Sequence, residues 1–336
     1  MKKNLNYYIS LFFKDYLPNL LGVSNNTILS YRDSLVLLLN YLKEVQNINI
    51  NNLKLDTINS DLIEKFLLYL ENDRKNSIQT RNQRLSAIHS FFNFLKNKEL
   101  SYIDIYSQIL LIPIKKAPIN TISYFSINEI ELLLNKPDTT KKYGFRDFIL
   151  LSFMYECATR VSEAISLTRS QLYFNDNHAY AIIHGKGNKD RRVPITPEFA
   201  KILKKYLDTF DINNNDFVFK NKNNKKLTSK GIEYILLKYV NNLQTEHSDK
   251  FKEKYSTHSL RHSKAMHLLE NGVNLIYIRD FLGHASITAT EIYAKTNPKI
   301  KEEQILKYSK NINVKDKYSD EYKEDLIEYL KKLFSR

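Results

Sequence analysis

The feature that most constrains the fold is a helical periodicity of apolar residues through the first ~116 residues. Four amphipathic helices with short polar connections are expected there, which predicts a small helical bundle. One pattern lies at the N-terminus, and the other three comprise Ile28, Tyr31, Leu35, Leu38 and Leu42, then Leu62, Phe66, Leu67 and Leu70, then Leu85, Ile88, Phe92 and Leu95.

Prolines and lysines then interrupt the pattern between Pro113 and Pro118. Residues 126–129 read Ser-Ile-Asn-Glu, a capping box that indicates the start of a new helix. A chain of 336 residues can bury two separate cores. We therefore predict a helical domain over residues 1–116, a linker over 117–124, a second domain over 125–298 and a C-terminal tail over 299–336.

The second domain mixes two periodicities. Residues 145–157 are apolar over much of a helical circumference, which predicts a buried helix. Residues 179–184 and 191–195 are short β-type runs joined by Gly-Lys-Gly-Asn-Lys-Asp, which predicts a hairpin. Residues 197–242 are mainly helical in pattern, with a polar loop from Asn213 to Lys226. The predicted fold class is mainly α with a small antiparallel β-sheet.

The composition favours a polyanionic partner. There are 51 Lys and Arg against 37 Asp and Glu, a formal charge of +14, and such an excess promotes binding to phosphates. The chain is also rich in Asn, Ile and Tyr, so AT-rich codon usage could account for part of the lysine content. It lacks an apolar run for a bilayer and an export signal, and its one cysteine, Cys157, cannot form an internal disulfide. We expect a cytoplasmic protein without a membrane partner.

The residues that carry chemistry are concentrated between His258 and Tyr293. Phosphoryl transfer places negative charge on the non-bridging oxygens, and the planar fork of an arginine such as Arg261 can bind two of them. A tyrosine hydroxyl needs a base to become a nucleophile, and histidine supplies one near neutral pH. If Thr257 caps a helix, His258 and Arg261 share one face of its first turn. This set could attack a phosphodiester without a metal.

Three motifs together resemble the tyrosine recombinases, the Xer and phage-integrase family. They are Arg160-Val161-Ser162-Glu163, then the hairpin Gly185-Lys186-Gly187-Asn188-Lys189-Asp190-Arg191-Arg192-Val193-Pro194, then His258-Ser259-Leu260-Arg261-His262 with Leu282-Gly283-His284 and Tyr293. One departure stands before Arg160, where the family commonly has Gly and an apolar residue and this chain has Ala158 and Thr159.

The resemblance implies a two-domain architecture, with a core-binding domain that clamps DNA and a catalytic domain. It implies that Arg160 and Arg261 grip the scissile phosphate, that His258 moves the tyrosine proton and that His284 donates a hydrogen bond to a phosphate oxygen. Tyr293 would attack phosphorus and form a 3′-phosphotyrosyl link. No cofactor, metal, ATP or small-molecule substrate is implied.

Lys186 would protonate the departing 5′ oxygen, and Lys189 in the same loop is its rival. Glu163 could hold Arg160, or the two could form a surface ion pair of little consequence.

Several other residues need an interpretation beside these motifs. Cys157 is interpreted as a small buried hydrophobe, and His262 and His267 as packing or surface residues. Tyr277 is the tyrosine most easily mistaken for the nucleophile, and we expect it in the core. Arg81 and Arg84 are either phosphate contacts or part of a solvated basic face.

The predicted function is site-specific recombination of double-stranded DNA by a homotetramer. A nicking and sealing enzyme of the type IB topoisomerase kind, and a DNA-binding protein without catalysis, are the alternatives. The long tail favours a mobile element over Xer-like chromosome resolution, and its segment from Tyr322 to Phe334 could dock on a partner protomer. Because the bundle begins near Met1, we expect no arm-binding module ahead of it.

Overall fold

The structure is a computed structural model, and it describes residues 4–50, 53–118, 122–175, 178–185, 189–247, 249–284, 286–296 and 328. The chain divides into two compact units, Met1–Asn120 and Thr121–Arg336. Three sequence predictions fall outside the described residues in whole or in part: Lys186, the middle of the 117–124 linker, and the C-terminal tail apart from Glu328.

The first unit is helical throughout its described residues. Its helices are α1 (Leu5–Leu11), a π-helical segment (Phe12–Leu20), α2 (Asn25–Glu44), α3 (Ser60–Asn72), α4 (Ile78–Lys98) and α5 (Ile103–Leu110). The three internal patterns correspond to α2, α3 and α4. Helix α5 was not predicted, because an eight-residue helix gives only two buried positions, Tyr106 and Ile109.

Side-chain caps fix where these helices begin. Ser24, Asn59 and Ser77 each accept a hydrogen bond from a backbone N–H three residues ahead, at the starts of α2, α3 and α4. Such a bond satisfies one of the donors that a helix start leaves unpaired. The apolar faces then form one core in which Phe12, Phe66 and Phe92 are almost completely buried.

Both expectations for Arg81 are wrong. Its side chain is buried, its Nη1 donates to the carbonyl of Pro113 at 3.1 Å, and its Nε lies 3.5 Å from a carboxylate oxygen of Glu71. Arg84 is half-buried and donates to the Ser34 hydroxyl at 3.0 Å. A buried guanidinium must be paired, so Arg81 serves the fold of the first unit.

The second unit packs helices around a small sheet. Its elements are α6 (Ile127–Asn135), α7 (Lys142–Glu156), α8 (Val161–Ser166), β1 (Leu172–Phe174), β2 (Ala179–His184), β3 (Asp190–Ile195), α9 (Pro197–Thr209), α10 (Ser229–Glu246), α11 (Thr257–Glu270), α12 (Leu275–Leu282) and α13 (Thr288–Thr296). The predicted capping box is present at Ser126 and Glu129, and the buried helix is α7. The predicted fold class is confirmed.

The sheet is antiparallel in the order β1-β2-β3. Ala179 pairs with Ile195 at one end of the hairpin and His184 pairs with Asp190 at the other. Side chains alternate along a strand, so Ala181, Ile183 and Val193 enter the core on one face. Strand β1 escaped prediction because three residues are too few to show a period of two.

Tyr277 was expected in the core, and that expectation is wrong. Its side chain is 70% exposed. Helix α12 buries Ile278 and Leu282, which lie four positions apart on one face, and Tyr277 projects from another. Nowhere in the described chain is a helix both long and apolar enough to cross a membrane.

Replacing Arg81 by alanine should destabilise the first unit by about 2 kcal/mol, because charge-assisted hydrogen bonds from a buried guanidinium are lost. Urea denaturation of the full-length protein measures this. Arg74→Ala, at an exposed position, is the matched control and should stay within about 0.5 kcal/mol of the parent. Equal stability of the two variants would contradict a structural role for Arg81.

Candidate active site

Helix α11 presents three of the functional side chains. Its N-cap is Ser256, whose backbone N–H donates to the Ser259 hydroxyl at 3.0 Å, so Thr257 is the first helical residue and not the cap. His258, Arg261 and His262 follow in the first two turns. The spacing of three and four residues places His258 beside both of the others.

Helix α12 ends against three arginines. Gly283 terminates it in the left-handed conformation, with φ of 65°. Three successive carbonyl oxygens at this end each accept one hydrogen bond: Phe281 O from Arg191 Nε at 2.9 Å, Leu282 O from Arg261 Nη2 at 2.6 Å, and Gly283 O from Arg160 Nη2 at 3.5 Å. A helix C-terminus carries partial negative charge, so it stabilises the guanidinium groups gathered there.

Glycine is required at position 283 for two reasons. The positive φ is costly for a residue with a side chain. A Cβ would also lie 3.0 Å from Arg191 Cδ and 3.2 Å from its Nη1. The turn between α12 and His284 is therefore shaped to fit Arg191.

The carboxylate of Glu163 lies at the centre of the arginines. Its side chain is 3% exposed, and Arg191 binds it with both ends of its fork, Nη1 to Oε1 at 3.0 Å and Nη2 to Oε2 at 2.8 Å. Arg160 Nη1 donates to Oε1 at 2.7 Å, and Arg261 Nη1 lies 4.0 Å from Oε2. The interpretation of Arg160 and Glu163 as a surface pair is thereby excluded.

Burial and bonding oppose each other at this carboxyl. Desolvation acts to raise the pKa of Glu163, but the hydrogen bonds and charge of Arg191, followed by those of Arg160, outweigh it and hold the pKa below its ordinary value. Glu163 is accordingly an anion at neutral pH.

Arg261 is the most deeply buried of the predicted cations that the structure describes. It is 3% exposed, and its Nη1 donates to the carbonyl of Ala158 at 2.7 Å. Burial, then the charges of Arg160 and Arg191, lower the pKa of Arg261 to about 9, so it stays protonated at neutral pH.

Ala158 adopts a φ of 45° to present that carbonyl. This left-handed conformation costs an alanine about 1 kcal/mol. The glycine that is usual in the family would avoid that strain. Ala158 nevertheless adopts the same left-handed backbone conformation that a glycine could.

Tyr293 lies on α13 with its hydroxyl 2.9 Å from Nδ1 of His262. We expected His262 in packing or at the surface, and this is wrong, since it is the histidine in contact with the predicted nucleophile. His258 does not contact the hydroxyl in the described interactions; its ring lies next to that of His262, with centroids 6.2 Å apart.

The tyrosine is withdrawn from solvent. Its side chain is 1% exposed and packs with Ala158, Met266 and Leu282. Burial raises the pKa of Tyr293, although the charges of Arg261 and Arg160 oppose that rise. In this conformation the phenol is a poor nucleophile.

His284 follows Gly283 and is held through one ring nitrogen. Its Nδ1 lies 3.0 Å from the hydroxyl of Thr290, which is completely buried. Burial, then the charges of Arg261 and Arg160, lower the pKa of His284 to about 4. A hydroxyl that donates to Nδ1 leaves the proton on Nε2, where a neutral imidazole can donate to a ligand oxygen.

Of the remaining predicted residues, two are buried as expected and one lies outside the described part of the chain. Cys157 is completely buried, as expected of a small hydrophobe. His267 is also buried, with Nε2 3.0 Å from the carbonyl of Phe125 and Nδ1 2.9 Å from the Tyr155 hydroxyl, as expected of a packing residue. Lys186 lies outside the described residues, and of its loop the structure shows the N–H of Gly185 donating to the carbonyl of Lys189 at 2.9 Å.

Sequence reasoning did not assign functions to Arg191 and Thr290. Arg191 lies in the hairpin motif. Alternation along the strand places Arg191 and its neighbour Arg192 on opposite faces, and this was the sequence signal that could have distinguished Arg191. For Thr290, the only signal in the sequence was its position three residues before Tyr293. Both contact other site residues, Arg191 through Glu163 and Thr290 through His284, so the chemistry of the reaction does not single them out.

The geometry points to a class of protein that has a cationic group of arginines and histidines beside the Tyr293 phenol, on a helical domain with a small sheet. A model described as the phage integrase family matches residues 123–299, and one described as the N-terminal SAM-like domain of phage integrases matches residues 12–99. The chain belongs to the phage integrase family, which confirms the resemblance. It is a site-specific DNA recombinase of the tyrosine class.

The chain is similar in sequence to named recombinases and similar in fold to solved recombinase and integrase structures. The tyrosine recombinase XerD of Halalkalibacterium halodurans is 31% identical over 81% of this chain and 87% of its own length. The fold is similar to XerH recombinase bound to difH in a post-cleavage complex, with a TM-score of 0.68, 22% identity and coverage of 90% and 85% of the two chains. It is also similar to the Tn1549 transposon integrase with transposon end DNA, with a TM-score of 0.69, 15% identity and coverage of 90% and 99%.

The histidines predict a pH dependence of stability. Burial lowers the pKa of His262 and of His284 to about 4, whereas an unfolded histidine titrates near about 6.5. Between those values the unfolded chain binds more protons, so stability is lost as pH falls. His262→Gln and His284→Gln should each flatten the decline of Tm between about pH 7 and pH 5.

His178→Gln, at an exposed position just before β2, is the control and should leave that decline unchanged. Thermal melts at half-unit pH steps provide the measurement. A decline equally steep in all variants would show that neither buried histidine is linked to folding.

Proposed function

We propose that Arg160 and Arg261 bind the scissile phosphate of double-stranded DNA, with His284 donating to a non-bridging oxygen and Tyr293 as nucleophile. The support is that Arg160 and Arg261 meet at one carboxylate and one helix end, close enough for their charges to act on His284 and Tyr293. Attack by the phenol oxygen on phosphorus would form a 3′-phosphotyrosyl bond and release a 5′ hydroxyl. The link keeps the bond energy for the reverse step, so no ATP is consumed.

The charge balance of the pocket carries this proposal. Arg160, Arg191 and Arg261 surround one carboxylate and one helix C-terminus. A helix end supplies about half a negative charge, so positive charge remains in excess. Arg160 is 29% exposed and holds its second contact at only 3.5 Å. It is the arginine of the three with room to turn its fork towards a phosphate.

The buried tyrosine requires a movement before reaction. With 1% of its surface exposed, Tyr293 cannot reach a phosphate in solvent unless α13 shifts. We propose that DNA binding releases α13. The phenol would then leave its apolar neighbours while it stays near Arg160 and Arg261, whose charges favour the phenolate.

We propose that His262 takes the proton of the phenol. His262 accepts it, because its Nδ1 is at hydrogen-bond distance from the hydroxyl. His258, expected to move this proton, lies beside His262 with ring centroids 6.2 Å apart, and no hydrogen bond joins the two rings in the described interactions. Lys186 is proposed to protonate the departing 5′ oxygen, by its place in the hairpin motif.

The domain roles and the assembly belong to the same proposal. The 1–116 domain would clamp the duplex and the 125–298 domain would cut it, with four protomers acting on two duplexes in the cytoplasm. A mobile element is the proposed substrate, as the length of the tail suggested. The 299–336 tail would join protomers through Tyr322 to Phe334.

A suicide substrate nicked beside the cut should trap the protein covalently, because the broken strand diffuses away before religation. Tyr293→Phe should form this adduct at least about 1000-fold more slowly, because phenylalanine has no hydroxyl to attack phosphorus. Tyr277→Phe, on the neighbouring helix and exposed, should form the adduct at the parental rate. Denaturing gel electrophoresis of labelled DNA measures both.

The same assay separates the alternatives. Adduct formation in Tyr293→Phe would assign the nucleophile elsewhere. No adduct with the parental protein would favour a DNA-binding protein without catalysis. Relaxation of supercoils without exchange between two sites would favour the type IB alternative.

The assembly proposal predicts four protomers with two duplexes, measured by sedimentation of the protein mixed with its cleaved DNA site. Deleting the residues after Lys310 should reduce the assembly or the exchange of strands, because the segment from Tyr322 to Phe334 is removed. A complete tetramer and full exchange without these residues would contradict a docking role for the tail.

A further inference from the structure

Arg191 is absent from the set of reacting groups, yet it makes the most extensive contacts of the three arginines. We infer that Arg191 is a positioning residue that fixes the Glu163 carboxylate and thereby sets how Arg160 presents its guanidinium to the scissile phosphate. This rests on the proposed role of Arg160.

The contacts of Arg191 leave it little access to a substrate. Its Nε donates to the Phe281 carbonyl, and its Nη1 and Nη2 donate to the two oxygens of Glu163. The side chain is 8% exposed. An arginine used in this way acts on its neighbours, so its effect on the reaction passes through Glu163.

Arg160 depends on the oxygen that Arg191 fixes. Oε1 of Glu163 accepts from Arg160 Nη1 at 2.7 Å and from Arg191 Nη1 at 3.0 Å. Oε2 accepts from the backbone N–H of Arg160 at 2.8 Å and from Arg191 Nη2 at 2.8 Å. The bidentate pair holds the plane of the carboxylate, and that plane sets the direction in which Arg160 points.

Arg191 also joins two elements of the site. It lies on β3, next to the loop that contains Lys186, and it bonds the end of α12 just before His284. Gly283 packs directly on its side chain. One guanidinium therefore fixes the positions of strand β3, the end of α12 and Glu163 relative to one another.

Lysine cannot reproduce these contacts. Its ammonium keeps the charge but has no planar fork, so it cannot bind both carboxylate oxygens and also reach the Phe281 carbonyl. Arg191→Lys therefore tests geometry at constant charge.

The chain offers a matched control in Arg192. It is the next residue on β3, and alternation along the strand directs it to the other face, where its guanidinium lies 3.7 Å from the centre of the Tyr180 ring. Arg192→Lys makes the same chemical change on the same strand outside the arginine cluster.

The experiment measures the single-turnover rate of covalent adduct formation at saturating suicide DNA, and the Kd for the same DNA separately. Arg191→Lys should lower the rate by about 10- to 100-fold and leave Kd within about 2-fold, since a misdirected Arg160 affects the transition state. Arg192→Lys should leave the rate within about 2-fold. A Kd change without a rate change, or equal rates for the two variants, would overturn the inference.

Coupling to Glu163 is tested in the Glu163→Gln background. If Arg191 acts through the carboxylate, adding Arg191→Lys there should slow the reaction by no more than about 2-fold. A role in stability alone would cost the same in both backgrounds and would overturn the inference. Should Arg191→Lys fail to fold, Arg191→Gln in both backgrounds replaces it.

The pH profile gives a readout that stability does not move. Glu163 faces Arg160, Arg191 and Arg261 among the described residues, and Arg191 is the main partner that lowers its pKa. Arg191→Lys should shift the acid limb of the cleavage rate to higher pH, and an unshifted limb would count against the inference. Adduct formation by the parental protein, lost in Tyr293→Phe, shows independently whether the proposed function holds.

Discussion

The buried carboxylate of Glu163 is the interaction on which the site depends. A lone carboxylate at 3% exposure would be costly, and so would each arginine around it. Together they are tolerable, because every carboxylate oxygen accepts two hydrogen bonds. The elements that meet there are the start of α8, strand β3 and helix α11, so the cluster fixes the fold of the second unit and the position of its functional groups by the same contacts.

The end of α12 supplies a second source of negative charge without a second acid. Its last carbonyls bind the same three arginines that surround Glu163. Partial charge from the backbone satisfies guanidinium donors but does not cancel a full charge. A second buried carboxylate in its place would have removed a further full positive charge from the pocket. This arrangement instead holds the arginines in place and preserves the positive potential that a phosphate needs.

The sequence predicted much of this site, because its motifs carry charge and spacing. Arg160 and Arg261 meet at Glu163 and the end of α12, and their charges act on His284 and Tyr293, while the roles of these residues stay predictions. The helices of the first unit follow their apolar periods. The errors have a common cause. His262 was interpreted as a packing or surface residue, but its partner is Tyr293 on another helix. Tyr277 was assigned to the core from its apolar neighbours. Tertiary contacts decide such cases, and a local pattern does not contain them.

Packing also controls the reactivity of Tyr293. Its surroundings act on the phenol in opposite directions, since burial raises its pKa and the arginines lower it. Moving α13 would remove the first effect, while Arg160 and Arg261 would keep the second if the ring stays near the pocket. His262, the proposed proton acceptor, is neutral at neutral pH because burial lowers its pKa to about 4. In the proposed mechanism, Tyr293 must therefore first be released from the apolar cluster that includes Ala158, Met266 and Leu282.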